Sequence, residues 1–305
     1  MGYKRAGFEV IGNVEIDKKI SRMYCANHHP KYNYNMDLRE FNKIEELPEE
    51  LYHLDILDGS PPCTTFSMAG KRENTWGKTK KFREGQAEQT LDDLFFVFLD
   101  TVEKLQPKVV VAENVTGLLS GNARGYVNQI VKRFREIGYD VQIFSLNAAR
   151  MDVPQARPRA IFVANNQNYP KLNLKFDNTM IPFGAIREEH GKPANSKMAE
   201  LLEQARPTDT KLEHVIKRVN GKGQAYYSSM IVHDDRIAPT ITSGGNFFRF
   251  CDKTLMSDKD IINAQTFPQD YDFCGNSVQY VCGMSVPPNM MANIAMEIWK
   301  QWLSR

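Results

Sequence analysis

Apolar and polar positions along this chain predict strands and helices in alternation. Val10-Ile11-Gly12-Asn13-Val14 reads as a short strand, and Lys18 to Asn27 as a helix with Ile20, Met23 and Tyr24 on one face. A brief apolar run, Leu54, Ile56 and Leu57, stops at Asp58-Gly59. From Thr90 to Leu105 apolar residues recur at helical spacing (Leu91, Leu94, Phe95, Phe98, Leu99, Val102), ending before Pro107. Val109-Val110-Val111-Ala112 is a β-branched run of the kind buried on both faces of a parallel sheet. Tyr126 to Ile137 is another helix, with Gly138 placed to cap it, and Val141 to Leu146 a strand. The alternation predicts an α/β fold whose sheet is mostly parallel and covered on both faces.

The pattern breaks after Ala164. Residues 165–250 are polar, carry Pro170, Pro182, Pro193 and Pro207, and lack regular alternation of helix and strand. Leu255 to Arg305 returns to helical spacing and ends in an amphipathic stretch from Met290 to Leu303. The expected organisation is a first domain over 1–164, a smaller irregular domain over 165–250, and a segment over 251–305 that returns to the first.

Composition narrows the classes. With 305 residues and 42% apolar content the chain can bury a core as one large domain or a domain plus a smaller one. Five cysteines (25, 63, 251, 274, 282), odd in number and without a Cys-x-x-Cys, argue against disulfide scaffolding and structural zinc. No metal site is expected, and a reduced, cytoplasmic compartment is. No stretch resembles a signal peptide, and no apolar run approaches the roughly 20 residues of a membrane helix. A net charge of +2 says little about partners, but its distribution says more. Lys71, Arg72, Lys78, Lys80, Lys81 and Arg83 stand against a single acid, Glu73, in a segment that also holds Trp76. Alone, such a run reads as a solvated face.

Three polar groups lie at predicted strand ends. In Asp58-Gly-Ser-Pro-Pro-Cys63, two prolines that cannot join a ladder stiffen the backbone before one thiol. Glu113-Asn114-Val115 follows the β-branched run, where open α/β sheets place their ligands. Gln155-Ala-Arg157-Pro-Arg159 precedes the apolar run Ala160 to Ala164, and in an extended segment its two arginines project from one face. A buried cysteine, a helix-capping glutamate and a solvated arginine pair are the ordinary readings of each alone. Their order on successive strand ends favours a shared site.

With these motifs the sequence resembles the DNA (cytosine-5)-methyltransferases of bacterial and phage type. Val14-Glu15-Ile16-Asp17, Phe267-Pro268-Gln-Asp-Tyr271 and Gly283-Met284-Ser285-Val286-Pro287-Pro288 add to the match, which spans nearly the whole chain apart from a variable region. The resemblance implies a Rossmann-like sheet and methyl transfer from S-adenosylmethionine to carbon 5 of cytosine in a short duplex DNA site, leaving S-adenosylhomocysteine. Cys63 would be the nucleophile that adds to carbon 6. Glu113 would hold the ring nitrogen and exocyclic amine, Arg159 the carbonyl oxygen, and Arg157 would be a supporting contact. The base must be flipped out of the duplex, as the handling of a buried ring atom requires. Glu15 would bind the ribose hydroxyls, with Ile16 beside it; Asp37 would meet the adenine amine and Leu38 and Leu94 would pack on the cofactor. Ser285, Val286 and the Pro62 backbone would approach its methionine end.

For DNA, the resemblance turns Lys71, Arg72, Lys80, Lys81 and Arg83 into phosphate contacts of a closing loop. It makes 165–250 a target-recognition region, with Thr242, Ser243, Gly244 and Gly245 close to the bases. The expected protein is a monomer, in the company of a cognate restriction nuclease in some settings. Two features depart from the family. Met284 stands where Asn is usual. The opening strand and Phe-x-Gly-x-Gly-Gly loop have no counterpart before Gly7-Phe8, so the first strand is expected to be missing. A misplaced start, a natural truncation and a separate polypeptide supplying the strand compete to explain this. An inactive DNA-binding relic and cytosine-5 methylation of RNA are the alternative functions.

Overall fold

The computed structural model describes residues 1–61, 93–221 and 229–304, which fall into two units. The first unit comprises Val10–Leu146, Pro158–Leu174 and Met296–Arg305. The second comprises Met1–Glu9, Asn147–Arg157 and Lys175–Ala295, and opens with a short helix, α1 (Gly2–Arg5).

In the first unit, β1 (Gly12–Val14) and β2 (Tyr32–Tyr34) pair in parallel and are joined by α2 (Lys18–His28). Asp17 starts that helix by accepting the amides of Lys19 and Ile20, as an N-cap should. Next, α3 (Leu38–Asn42) follows β2, with Asp37 as its N-cap. A second, four-stranded sheet has β3 (Ile56–Gly59) at one edge and β4 (Val109–Val115) beside it in parallel, connected through α4 (Leu94–Leu105). After α5 (Arg124–Glu136) come β5 (Asp140–Asn147) and β6 (Pro158–Asn165), in the order β3-β4-β6-β5.

The sheet is mixed rather than mostly parallel, because β6 runs antiparallel to β4. The reason lies in the connection. Only residues 148–157 link β5 to β6, with a single 3-10 turn (Ala148–Arg150) among them, and a parallel return needs a longer crossover, usually a helix.

All of Val109, Val110, Val111 and Ala112 are fully buried, as their β-branched run predicts. On one face, Phe95, Phe98, Leu99 and Val102 of α4 interlock with Ile130 and Phe134 of α5 over Val110, Ala112 and Phe162. Phe95 meets Phe162 edge-on with ring centroids 5.3 Å apart. Gly59, at the end of β3, has no room for a side chain: a Cβ there would lie 2.4 Å from the Phe98 ring. That close approach sets the height at which the strand end sits against α4.

The second unit holds α6 (Ser196–Glu203), α7 (Leu212–Asn220) and a parallel pair, β7 (Ser229–Val232) and β8 (Asn246–Arg249). Leu202, Leu212, Val215, Ile231 and Phe248 form its apolar centre. These short helices sit where the sequence reads as irregular, since each apolar stripe is only about two turns long and Pro193 and Pro207 lie close by outside them. Then come α8 (Asp258–Gln265), α9 (Val278–Met284) and α10 (Pro288–Ile298), the last of which crosses into the first unit's residues. Ser257 and Asp260 form a reciprocal capping box at the start of α8. Asp260, fully buried, also faces the fully buried Arg249 at 3.4 Å, and Asp252 meets the same guanidinium at 2.7 Å. Paired in this way the charge is tolerated inside.

Candidate active site

The ends of β4 and β6 create the central arrangement. In their antiparallel register Val115 opposes Arg159 and Glu113 opposes Ile161, which places Glu113 and Arg159 on one face as diagonal neighbours. Arg159 Nε lies 2.5 Å from Glu113 Oε1, and both side chains are about seven-eighths covered, at 12% and 13% exposure. A carboxylate acceptor and a guanidinium donor therefore stand side by side at the carboxyl end of β4.

Asn114 points to the other face of β4. Its Nδ2 donates to the Pro61 carbonyl at 3.1 Å, and its Oδ1 accepts the Val115 amide at 2.9 Å. Gly59, the last residue of β3, pairs with Ala112, and β4 runs on past it to Val115. The backbone leaving β3 is thus fixed to the residue next to Glu113. Cys63 and Pro62 lie outside the described residues, as do Lys71, Arg72, Lys80, Lys81 and Arg83.

Arg157 and Arg159 do not share a target. The ladder begins at Pro158, so Arg157 precedes it and takes a different direction. Arg157 is 2% exposed; its Nη1 donates to the Ile241 carbonyl and its Nη2 to the Gly283 carbonyl, each at 2.8 Å. Beside it the fully buried Gln155 accepts the Ile241 amide at 3.0 Å and donates to Gln265 Oε1 at 2.6 Å. Gln265, also fully buried, donates to the Ser285 carbonyl at 2.8 Å. Sequence reading passed over Asn114 and Gln265 as individual actors. A signal for Gln265 exists: it is a polar residue on the buried face of α8, beside Ile261, Ile262 and Ala264.

Thr242, Ser243 and Gly244 are exposed, and Gly245 adopts φ +100°, a conformation that favours glycine. Ser285 closes α9, its hydroxyl donating to the Val281 carbonyl at 2.7 Å. Met284 is 58% exposed.

The ends of β1 and β2 carry the other expected residues. Glu15 follows β1, and its Oε1 accepts the Asp17 amide at 2.8 Å. Burial pushes its carboxyl pKa up, against the lowering effect of that amide. Asn35 clips the Glu15 backbone by donating to its carbonyl at 2.6 Å. Asp37 caps α3 and pairs with Arg39, which in turn reaches Asp93 at 2.6 Å. Leu38 packs against Leu94 and Val97. These residues fit an adenosine group: Glu15 offers a desolvated carboxylate to a diol, Asp37 a second acceptor just past the strand paired with β1, and Leu38 with Leu94 an apolar patch for a ring. Among the described residues no cluster of histidine, cysteine or carboxylate side chains could hold a metal ion, and no helix is long and apolar enough to cross a membrane.

A family model of C-5 cytosine-specific DNA methylases matches residues 1–300, and the chain belongs to that family. It is a DNA (cytosine-5)-methyltransferase, of a class that uses S-adenosylmethionine. The type II methyltransferase M1.HphI of Haemophilus parahaemolyticus is 26% identical over 327 residues, covering 98% of this chain and 83% of that protein. The type II methyltransferase M.NgoPII of Neisseria gonorrhoeae is 27% identical over 338 residues, with 98% and 92% covered. Among solved structures, Spodoptera frugiperda DNMT2 aligns over 98% of this chain and 95% of its own with a TM-score of 0.63 at 16% identity, a likeness of fold.

Proposed function

We propose that this methyltransferase acts on a cytosine rotated out of a short duplex site, with Cys63 as nucleophile and Glu113 and Arg159 as the groups that hold the ring. The carrying observation is the Glu113–Arg159 pair on one face of the β4–β6 ladder, together with the bond that Asn114, on the strand's other face, makes to the Pro61 carbonyl two residues before Cys63.

Carbon 5 of cytosine is a weak nucleophile until a thiolate adds to carbon 6. Cys63 Sγ forms that bond, and the electrons of the carbon 5–carbon 6 double bond move to enrich carbon 5. Arg159 offers N–H donors to the carbonyl oxygen, and Glu113 meets the ring nitrogen and amine where charge develops. Held together before the base arrives, the two need little rearrangement when it does. S-adenosylmethionine, when bound, supplies an electrophilic methyl group to carbon 5. Loss of the carbon 5 proton and then of the Cys63–carbon 6 bond restores the thiolate and leaves 5-methylcytosine.

Glu15 with Ile16 is the proposed ribose contact, Asp37 the adenine contact, and Leu38 and Leu94 the apolar bed. Ser285, Val286 and the Pro62 backbone are assigned to the methionine end. Residues 165–250, with Thr242, Ser243 and Gly244 exposed and Gly245 half-buried, are assigned to target recognition, and Lys71, Arg72, Lys80, Lys81 and Arg83 to phosphates. The relatives named type II methyltransferases support a restriction–modification setting. Transfer of a labelled methyl group to duplex DNA by the unaltered chain, lost in a folded Cys63→Ala variant, is the expected outcome. Full transfer by that variant would overturn the assignment.

A further inference from the structure

A line of buried hydrogen bonds runs through the second unit from a loop to a helix end. The Ile241 amide donates to Gln155 Oε1 at 3.0 Å, Gln155 Nε2 donates to Gln265 Oε1 at 2.6 Å, and Gln265 Nε2 donates to the Ser285 carbonyl at 2.8 Å. Each glutamine is fully buried, so each amide group is oriented by its partners rather than by water. Arg157 makes a second, parallel tie from the Ile241 carbonyl to the Gly283 carbonyl. Both backbone groups of Ile241 are thereby fixed, one by each route. The two segments also touch directly: a Cβ on Gly283 would lie 2.2 Å from the Ser243 amide nitrogen. Gln279 of α9 adds a bond to the Gly245 carbonyl at 2.9 Å.

We infer that Gln265 is a positioning residue that joins the loop 242–245 to Ser285, so that binding at one end is felt at the other. The inference rests on the reading above, in which that loop meets DNA and Ser285 meets the cofactor. Gln265 touches neither ligand. Its position in the middle of the chain is what gives it a function, because a glutamine that both accepts from one segment and donates to another transmits a shift of either. Coupling through it must be reciprocal: whatever factor the cofactor adds to DNA affinity, DNA adds to cofactor affinity.

The test measures dissociation constants of a duplex containing the target site, with and without S-adenosylhomocysteine, and of S-adenosylhomocysteine with and without that duplex. In the unaltered protein each ligand is expected to tighten the other by the same factor, on the order of 10-fold. In Gln265→Met, which keeps the length and loses both hydrogen bonds, that factor is expected to fall to within about 2-fold of unity. Each ligand alone should still bind within about 3-fold of the unaltered protein. A folded Gln265→Met protein with undiminished coupling would overturn the inference.

A second measurement needs no variant. S-adenosylhomocysteine alone should slow amide hydrogen exchange across 238–245 in the unaltered chain, and unchanged exchange there with the ligand bound would count against the proposal. Failure of the unaltered protein to bind either ligand would instead contradict the underlying functional reading, whereas binding of both without coupling would contradict only the role of Gln265.

Discussion

The Asn114 side chain ties the end of β4 to the Pro61 carbonyl at 3.1 Å, and with it the backbone that leads into Cys63. Asn114 is only 4% exposed and satisfies a second group, the Val115 amide. Its neighbour Glu113 faces the opposite side of the strand, toward Arg159. On the proposed reading, one dipeptide supplies the base contact and fixes the backbone at Pro61, two residues before the nucleophile in sequence.

Asn114→Ala is expected to lower kcat by roughly 10- to 100-fold through misplacement of the Pro61 backbone. Two buried hydrogen bonds are lost, so stability should fall by about 1–3 kcal/mol. Single-turnover rates and chemical unfolding of the same preparation check both numbers. DNA affinity should change little, which separates this role from a DNA contact.

The Glu113–Arg159 pair is expected to act as a unit. Arg159→Lys keeps the charge and loses the forked donor, and kcat/KM should drop about 100-fold. Glu113→Gln should cost roughly 100- to 10,000-fold. The double variant should be far less impaired than the product of the two losses, because neither side chain is placed correctly alone. Multiplicative losses in a full cycle would show that the two act independently.

Gly59→Ala should destabilise the fold by about 1–3 kcal/mol, since the new methyl group meets the Phe98 ring. Phe98→Leu in the same protein should recover part of that loss. If Gly59→Ala melts like the unaltered chain, the close packing of β3 on α4 is not what fixes the strand end.

Glu15 trades stability for its site. Burial raises its folded pKa above the unfolded value, so the folded protein binds the proton more tightly. Its contribution is fully present below the unfolded pKa, near 4.5, and is lost as pH rises through the raised folded value. Glu15→Gln removes that loss, so the variant should be more stable than the unaltered chain at neutral pH and show no such advantage in acid. Its affinity for S-adenosylhomocysteine should fall by about 10-fold or more with loss of the charged diol contact. Denaturant melts at several pH values and calorimetric titration decide the matter.

Much of this was legible in the sequence, for identifiable reasons. Periodicity located α2, α5 and β5 to within two residues, the two helices because apolar residues recur on one face of each. Cys63, Glu113 and Arg159 were singled out by their order on successive strand ends; Glu113 and Arg159 do meet, while Cys63 lies outside the described residues. Strand direction was not legible: the antiparallel course of β6 depends on the short path from β5, which hydrophobic pattern does not encode. Nor was the separation of Arg157 from Arg159, since Pro158 begins the ladder between them and the burial of Arg157 depends on Ile241 and Gly283, distant in sequence. The helices α6 and α7 were hidden by their brevity. Gln265 was hidden because its partners, Gln155 and Ser285, come from two segments distant from it in sequence.

The central claim is that this chain methylates cytosine at carbon 5 within one short duplex sequence. Its most direct test is expression in a host without cytosine methylation, followed by bisulfite sequencing of the host DNA. Protection of cytosines at one position of a single short motif is expected, with none in cells carrying Cys63→Ala. Complete conversion at every cytosine, with soluble and folded protein in the cell, would contradict it.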